Sequence, residues 1–294
     1  MADDELFGVK NAYYLGLYQQ AISEALSTSV SSEAARVDSD FVRFMAYIAQ
    51  GQQRMVLDEV GTGSPLGLQG VKLLATYVGA SRETKDMVLM QLKEWLSDAT
   101  ALSNSHLVEA AAVIYCHEQD YKEALKYVHH TTLLSTMYLV VQIYIGMNRL
   151  DLAKKQLSLM QTQDDDATVT QLASAWVGMS EGGEKAQEAL NTFQDLGEKY
   201  NMSPMLTNGM AMCNMALGRF DEAERLLQDT LSKSATDADT LANVVVCMSH
   251  LQKPQEQVAR YTNQLRSVAP AHPWAQRYGE MEAAFDRSAM QMSG

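Results

Sequence analysis

Residues 203–237 read SPMLTNGMAMCNMALGRFDEAERLLQDTLSKSATD, and this stretch decides the fold. Ser203 ahead of Pro204 is a helix start. The serine oxygen can accept from a free backbone N–H, and proline takes the first helical position, where no N–H is needed. Leu206, Gly209, Met210, Cys213, Ala216 and Leu217 then share one face. Gly218 provides a left-handed stop. A second helix follows, with Phe220, Ala223, Leu227 and Thr230 at helical spacing and Asp221, Glu222, Glu224 and Arg225 on the opposite side. Asp221 and Arg225 form a favourable i,i+4 pair.

The same unit recurs along the chain. Ala21, Val56, Val88, Ala124, Ala153, Ala189, Ala223 and Gln257 each open the apolar stripe of a second helix, at steps of 29 to 36 residues averaging about 34. A two-helix unit of that period is the signature of tetratricopeptide-type repeats. Small residues are needed where the paired helices touch, and Ala211 and Ala223 hold those positions in the clearest unit.

Residues 105–138 repeat the pattern with Ala112, Tyr115, Tyr121 and Ala124, and residues 134–165 give a shortened copy with Val141, Tyr144, Leu150 and Ala153. From Asp166 to Gly197, Trp176 lies on the first helix, Gly182 and Gly183 make the turn, and Ala189 and Phe193 lie on the second. The run Asp164-Asp165-Asp166 reads as the start of that first helix, where the N-terminal dipole favours acidic side chains. The pattern is faintest at 27–40 and in the glycine-rich 61–70, where Ser64-Pro65 restarts a helix. His272-Pro273 opens a last amphipathic helix over about 273–291, with Trp274, Tyr278, Met281 and Phe285, which is expected to cap the final repeat. The fold expected is a right-handed, all-α solenoid of about seven to eight helix pairs, one domain over residues 1–294.

Composition agrees with a helical array. Only five prolines occur, and each is read at a helix edge. The net charge of −13 argues against nucleic-acid binding, which depends on Lys and Arg contacts to phosphate, and against direct adsorption on anionic lipid. Membrane contact is therefore expected only through a partner. Cys116, Cys213 and Cys247 are a sparse, odd set, as in a reduced intracellular compartment. The acidic N-terminus is no signal peptide, and no apolar run is long enough to span a bilayer.

Candidate chemistry is thin. His106 and Glu109 have the i,i+3 spacing of helical metal ligands, but Cys116 and His117 lie on different faces, so interhelical or exposed roles are the better reading. His129 and His130, read as neighbours on a helix, point about 100° apart and cannot share an ion. The acidic run 164–166 lacks the spaced carboxylates of a calcium loop. Gly61-Thr62-Gly63-Ser64 lacks the Gly-Lys-Ser/Thr ending of a phosphate loop and reads as an inter-repeat loop. No catalytic, metal or cofactor residue is assigned, and no small-molecule substrate is expected.

Several strings go beyond repeat consensus. Asp4-Glu5-Leu6-Phe7, Val9-Lys10-Asn11-Ala12, Asp164-Asp165-Asp166-Ala167-Thr168, Ala175-Trp176-Val177, Gly182-Gly183-Glu184-Lys185 and Lys253-Pro254 resemble the epsilon-subunit family of coatomer, in order and over nearly the whole chain. The resemblance implies a non-catalytic subunit of the seven-subunit coat of Golgi-derived vesicles. It implies binding to the C-terminal region of the alpha subunit, action in Golgi-to-ER and intra-Golgi transport, and a cytoplasmic location peripheral on Golgi membranes and vesicles. Helix-face positions in such repeats place Met205, Asn208, Met212, Met215, Ala242 and Val246 on a concave, partner-binding wall. The alternative is a tetratricopeptide chaperone adaptor gripping an acidic tail, but that grip requires Lys or Arg on the same wall.

Overall fold

The computed structural model describes residues 5–292; Asp4, the first residue of the N-terminal resemblance, and the three residues before it lie outside the described part. Among the described residues all regular structure is helical. The chain divides into two compact units, residues 1–180 and 181–294. The first holds α1 (Phe7–Tyr14), α2 (Tyr18–Ser27), α3 (Glu33–Ala49), α4 (Gln53–Glu59), α5 (Leu66–Tyr77) and α6 (Arg82–Trp95). It continues through the single turn α7 (Ala99–Leu102), then α8 (Ser105–His117), α9 (Tyr121–Val128), α10 (Leu134–Gly146), α11 (Leu150–Asp164) and α12 (Thr168–Glu181). The second holds α13 (Gly183–Tyr200), α14 (Pro204–Ala216), α15 (Phe220–Lys233), α16 (Ala238–His250), α17 (Gln255–Val268) and α18 (Pro273–Met292).

One turn builds most of the hairpins. Gly16, Gly51, Gln119, Asn148, Gly218 and Gln252 all have φ between +53° and +75°. Each stands five residues before Ala21, Val56, Ala124, Ala153, Ala223 or Gln257. In every case the next residue donates its N–H to the carbonyl five residues earlier. Leu17 donates to Ala12, Gln52 to Tyr47, Asp120 to Tyr115, Arg149 to Tyr144, Arg219 to Asn214 and Lys253 to Met248, at 2.8–3.0 Å. This is the Schellman closure, which satisfies a carbonyl left over at the helix end and reverses the chain at a fixed angle. The reversal drives the two helices together. Ala21, Val56, Ala124, Ala153 and Ala223 are accordingly buried without any exposed surface, while Gln257 is exposed.

Close approach between hairpins has the same cause. A Cβ added to Gly67 on α5 would stand 2.6 Å from the His106 Cβ on α8, so only glycine lets these helices seat. In the first unit Arg43 ties α3 to α4 through Asp40 at 2.8 Å and Glu59 at 2.7 Å. The unit also closes on itself. Thr168 Oγ1 at the start of α12 donates to Asn11 Oδ1 on α1 at 2.6 Å, and Tyr14 meets Tyr138 edge-on with ring centroids 6.0 Å apart. The acidic run corrects one expectation: Asp164 ends α11 and does not begin a helix. Its carboxylate accepts from the N–H groups of Asp166 and Ala167, bridging the short loop to α12.

In the second unit, Phe193 of α13 fills the space left by Gly209 of α14, whose added Cβ would come within 2.8–2.9 Å of three ring atoms. The last helix covers less than the amphipathic pattern suggested. Trp274 packs on the apolar cluster around Leu241 and Leu265, and stacks on Tyr278 at 5.0 Å. Beyond that first stretch Met281 and Phe285 are 66% and 73% exposed, so these two apolar side chains stay open, while Glu282 pairs with Arg266 of α17.

Two substitutions test the turn and the contact separately. Gly209→Ala overpacks the Phe193 contact and should lower stability by about 1–3 kcal/mol. Gln252→Gly relieves a left-handed side chain and should raise it by about 0.5–1 kcal/mol. Urea midpoints at constant slope read both shifts.

Candidate functional site

The first unit encloses an open cleft of about 960 Å³. Its walls come from α1, which offers Phe7, Lys10 and Tyr14; from α3, with Asp38 and Phe41; and from α8, with His106 and Glu109. Leu133 and Asp164, in or beside the loops flanking α10 and α12, complete the rim. Each part is held by the hairpin geometry. Asn104 caps α8 by accepting from Leu107 N at 2.9 Å, and the i,i+3 spacing then aims His106 and Glu109 to the same side. The missing Cβ of Gly67 lets α5 brace His106 from behind. Phe7 and Leu133 leave 54% and 49% of their surface exposed, so the mouth is apolar.

Two acidic groups on the walls differ in how they are satisfied. Asp38 faces His106 Nε2 at 3.2 Å, and the His106 ring packs on Phe41 with centroids 4.4 Å apart. Burial lowers the His106 pKa, with Asp38 opposing and Lys10 reinforcing the shift. Glu109 has a poorer environment. Among the described residues it accepts one long hydrogen bond, from Thr136 Oγ1 at 3.3 Å, and burial pushes its carboxyl up to about 7. The half-buried phenols of Tyr13 and Tyr14 are raised in turn, by burial first and then by neighbours that include Glu109.

The residues predicted for a concave wall lie on α14 and α16 in the second unit, and they divide into two groups. Asn208 is buried: its Nδ2 donates to Thr240 Oγ1 at 2.8 Å and its Oδ1 accepts from Asn243 at 2.9 Å, so its side chain joins α14 to α16. Ala242 is buried in the same contact region. Met205, Met212, Met215 and Val246 are half-buried and keep part of their surface open.

The spacing of His106 and Glu109 is the sequence signal of the cleft, and the interhelical role preferred to metal ligation fits their contacts with Asp38 and Thr136. Among the described residues no three His, Cys, Asp or Glu side chains converge as a metal site. His129 and His130 require a correction. They follow the end of α9 and do not share a helix, so their rings meet at 3.6 Å. The three thiols carry no activated nucleophile: burial pushes Cys116 and Cys247 up to about 11 and Cys213 up to about 12.

Comparison with known proteins agrees along the full length. The family model for the coatomer epsilon subunit matches residues 2–293. Coatomer subunit epsilon-1 of Oryza sativa subsp. japonica is 44% identical over 285 residues, covering 97% of each chain. Coatomer subunit epsilon of Dictyostelium discoideum is 36% identical over 98% of each chain. Among solved structures, a tetratricopeptide repeat protein from Parabacteroides merdae superposes with a TM-score of 0.57 at 13% identity, over 88% of this chain and 97% of that one. The APC/C heterotetramer Cut9–Hcn1 gives 0.59 at 12% identity, over 93% of this chain and 54% of the matched one. These two likenesses show the fold: all-α, built of tetratricopeptide-like helix pairs.

Glu109 has a measurable consequence for stability. Its carboxyl titrates near 7 in the folded chain against an ordinary 4.5, so the folded state binds the proton more tightly. Stability therefore falls as pH rises from about 4.5 through 7, and the full cost is present above 7. Glu109→Gln should stabilise the chain by about 1–3 kcal/mol at pH 8 and change little near pH 4.5. Denaturant titrations at the two pH values compare the variants directly.

Proposed function

The chain belongs to the coatomer epsilon subunit family and is a component of coatomer; we propose that its part there is to bind and stabilise the C-terminal region of the alpha subunit. The role is structural, without catalysis. The family match over residues 2–293 carries this reading. The cleft of the first unit supports this reading, because an apolar mouth with a few polar groups suits an inserted polypeptide segment. The half-buried Met205, Met212, Met215 and Val246 offer a second apolar surface, on which flexible methionines can adapt to a partner. On this proposal the chain serves Golgi-to-ER and intra-Golgi vesicle transport from the cytoplasmic side of Golgi membranes and vesicles, and works as a single domain.

Charge supports an indirect relation to the membrane. A chain of net charge −13 is repelled by anionic lipid, so the coat must supply the attachment. Among the described residues no helix is long and apolar enough to cross a bilayer. An interface with the alpha subunit should exceed roughly 2,000 Å², as permanent interfaces do.

The purified chain is expected to form a stoichiometric complex with a C-terminal fragment of the alpha subunit. Leu133→Glu, at the mouth of the cleft, should weaken that complex by ~2–4 kcal/mol in a calorimetric titration, because an unpaired charge would be buried at a central contact. Met212→Glu tests the second surface in the same assay. Full affinity in both variants would place the alpha subunit elsewhere on the chain.

A further inference from the structure

Glu109 is costly where it stands. A carboxylate on the wall of an apolar-mouthed cleft loses hydration, and Thr136 returns one long hydrogen bond. The ionisable groups around it do not compensate. On α1, Tyr13 and Tyr14 are half-buried phenols, and Lys10, which lines the same cleft, acts on His106. On α3, Asp38 is acidic; on α8, His106 turns its Nε2 to Asp38. On α10 Tyr138 is a half-buried phenol, and Asp164 at the end of α11 adds another carboxylate to the rim. The cleft thus presents on its wall a half-buried carboxylate whose hydrogen bond among the described residues is the long one from Thr136.

We propose that Glu109 is the specificity-determining residue of the cleft, and that it receives one lysine or arginine side chain from the bound alpha-subunit segment. This rests on the reading that the alpha subunit occupies the cleft. The occupant is then a polypeptide segment that is apolar where it meets Phe7 and Leu133 and carries a single cation reaching Glu109. The pairing supplies the charge partner and the donors that the free chain lacks. It also holds Glu109 ionised, so association near neutral pH releases the proton that the free carboxyl partly retains.

Calorimetric titration of the intact chain with the C-terminal alpha-subunit fragment tests this, in buffers of different ionisation enthalpy. The wild-type chain should release roughly half a proton at pH 7 and bind more tightly at pH 8 than at pH 6.5. Glu109→Gln should bind about 30-fold more weakly, release no proton there and lose that pH dependence, while the free variant is the more stable of the two. A residue that only supported the fold could not weaken binding while strengthening the free chain. Neutralising the fragment's lysines and arginines one at a time should reveal one whose loss weakens wild type about 30-fold and leaves Glu109→Gln unchanged. If Leu133→Glu disrupts binding while Glu109→Gln binds with wild-type affinity and proton count, the alpha subunit sits in the cleft and the proposed pairing is wrong. If Leu133→Glu also binds as wild type, the cleft is not the docking site and both readings fall.

Discussion

The left-handed residue between paired helices is the constraint from which the remaining architecture follows. A chain leaving a helix has several ways to turn, and most would splay the next helix away. A residue near φ +60°, followed by an N–H returned to the carbonyl five residues back, allows one sharp reversal. The second helix must then lie against the first, and the meeting point falls five residues after the turn. A large side chain there would force the axes apart, which is why alanine or valine is buried at that place in hairpin after hairpin. The geometry is strong enough to hold Gln119, Asn148 and Gln252 in a conformation that costs side-chain-bearing residues about 1–2 kcal/mol.

Repetition of this turn explains what could be read in advance. The small buried residue recurs along the sequence, so its period announces the fold without any knowledge of contacts. Gly218, Ser203 and Pro204 announce their own turn and helix start by chemistry alone. The contacts between hairpins are less legible. Gly209 reads as an ordinary member of an apolar face until Phe193 is seen against it. Asp164 reads as a helix start because an acidic side chain caps free N–H groups equally well from the end of the preceding helix.

The site was harder still to read, for the same reason. Asn208 and Ala242 occupy positions that face a partner in an idealised repeat, yet α16 packs on α14 closely enough to take both into the contact. The cleft in the first unit depends on Asn11 meeting Thr168, 157 residues away in sequence. No local pattern encodes that closure. The i,i+3 spacing of His106 and Glu109 does correctly place both side chains on one face. What they do there is decided by α1, α3 and α10, elements that the spacing does not mention.

An apolar cleft alone would be a poor instrument for a coat subunit, since any greasy segment could enter it. Glu109 changes that calculation. A segment without a cation would bury the carboxylate more deeply and leave it unpaired, which works against its own apolar contacts. A segment with a cation in register avoids that penalty and gains a charge-assisted hydrogen bond. The negative charge of the whole chain reinforces the preference at longer range, although salt screens it beyond about 8–10 Å. The free chain is the less stable for carrying this carboxylate, and the proposed pairing would remove that loss in the complex. Discrimination of this kind needs only one misfit charge, provided the fold holds it where water cannot hydrate it fully.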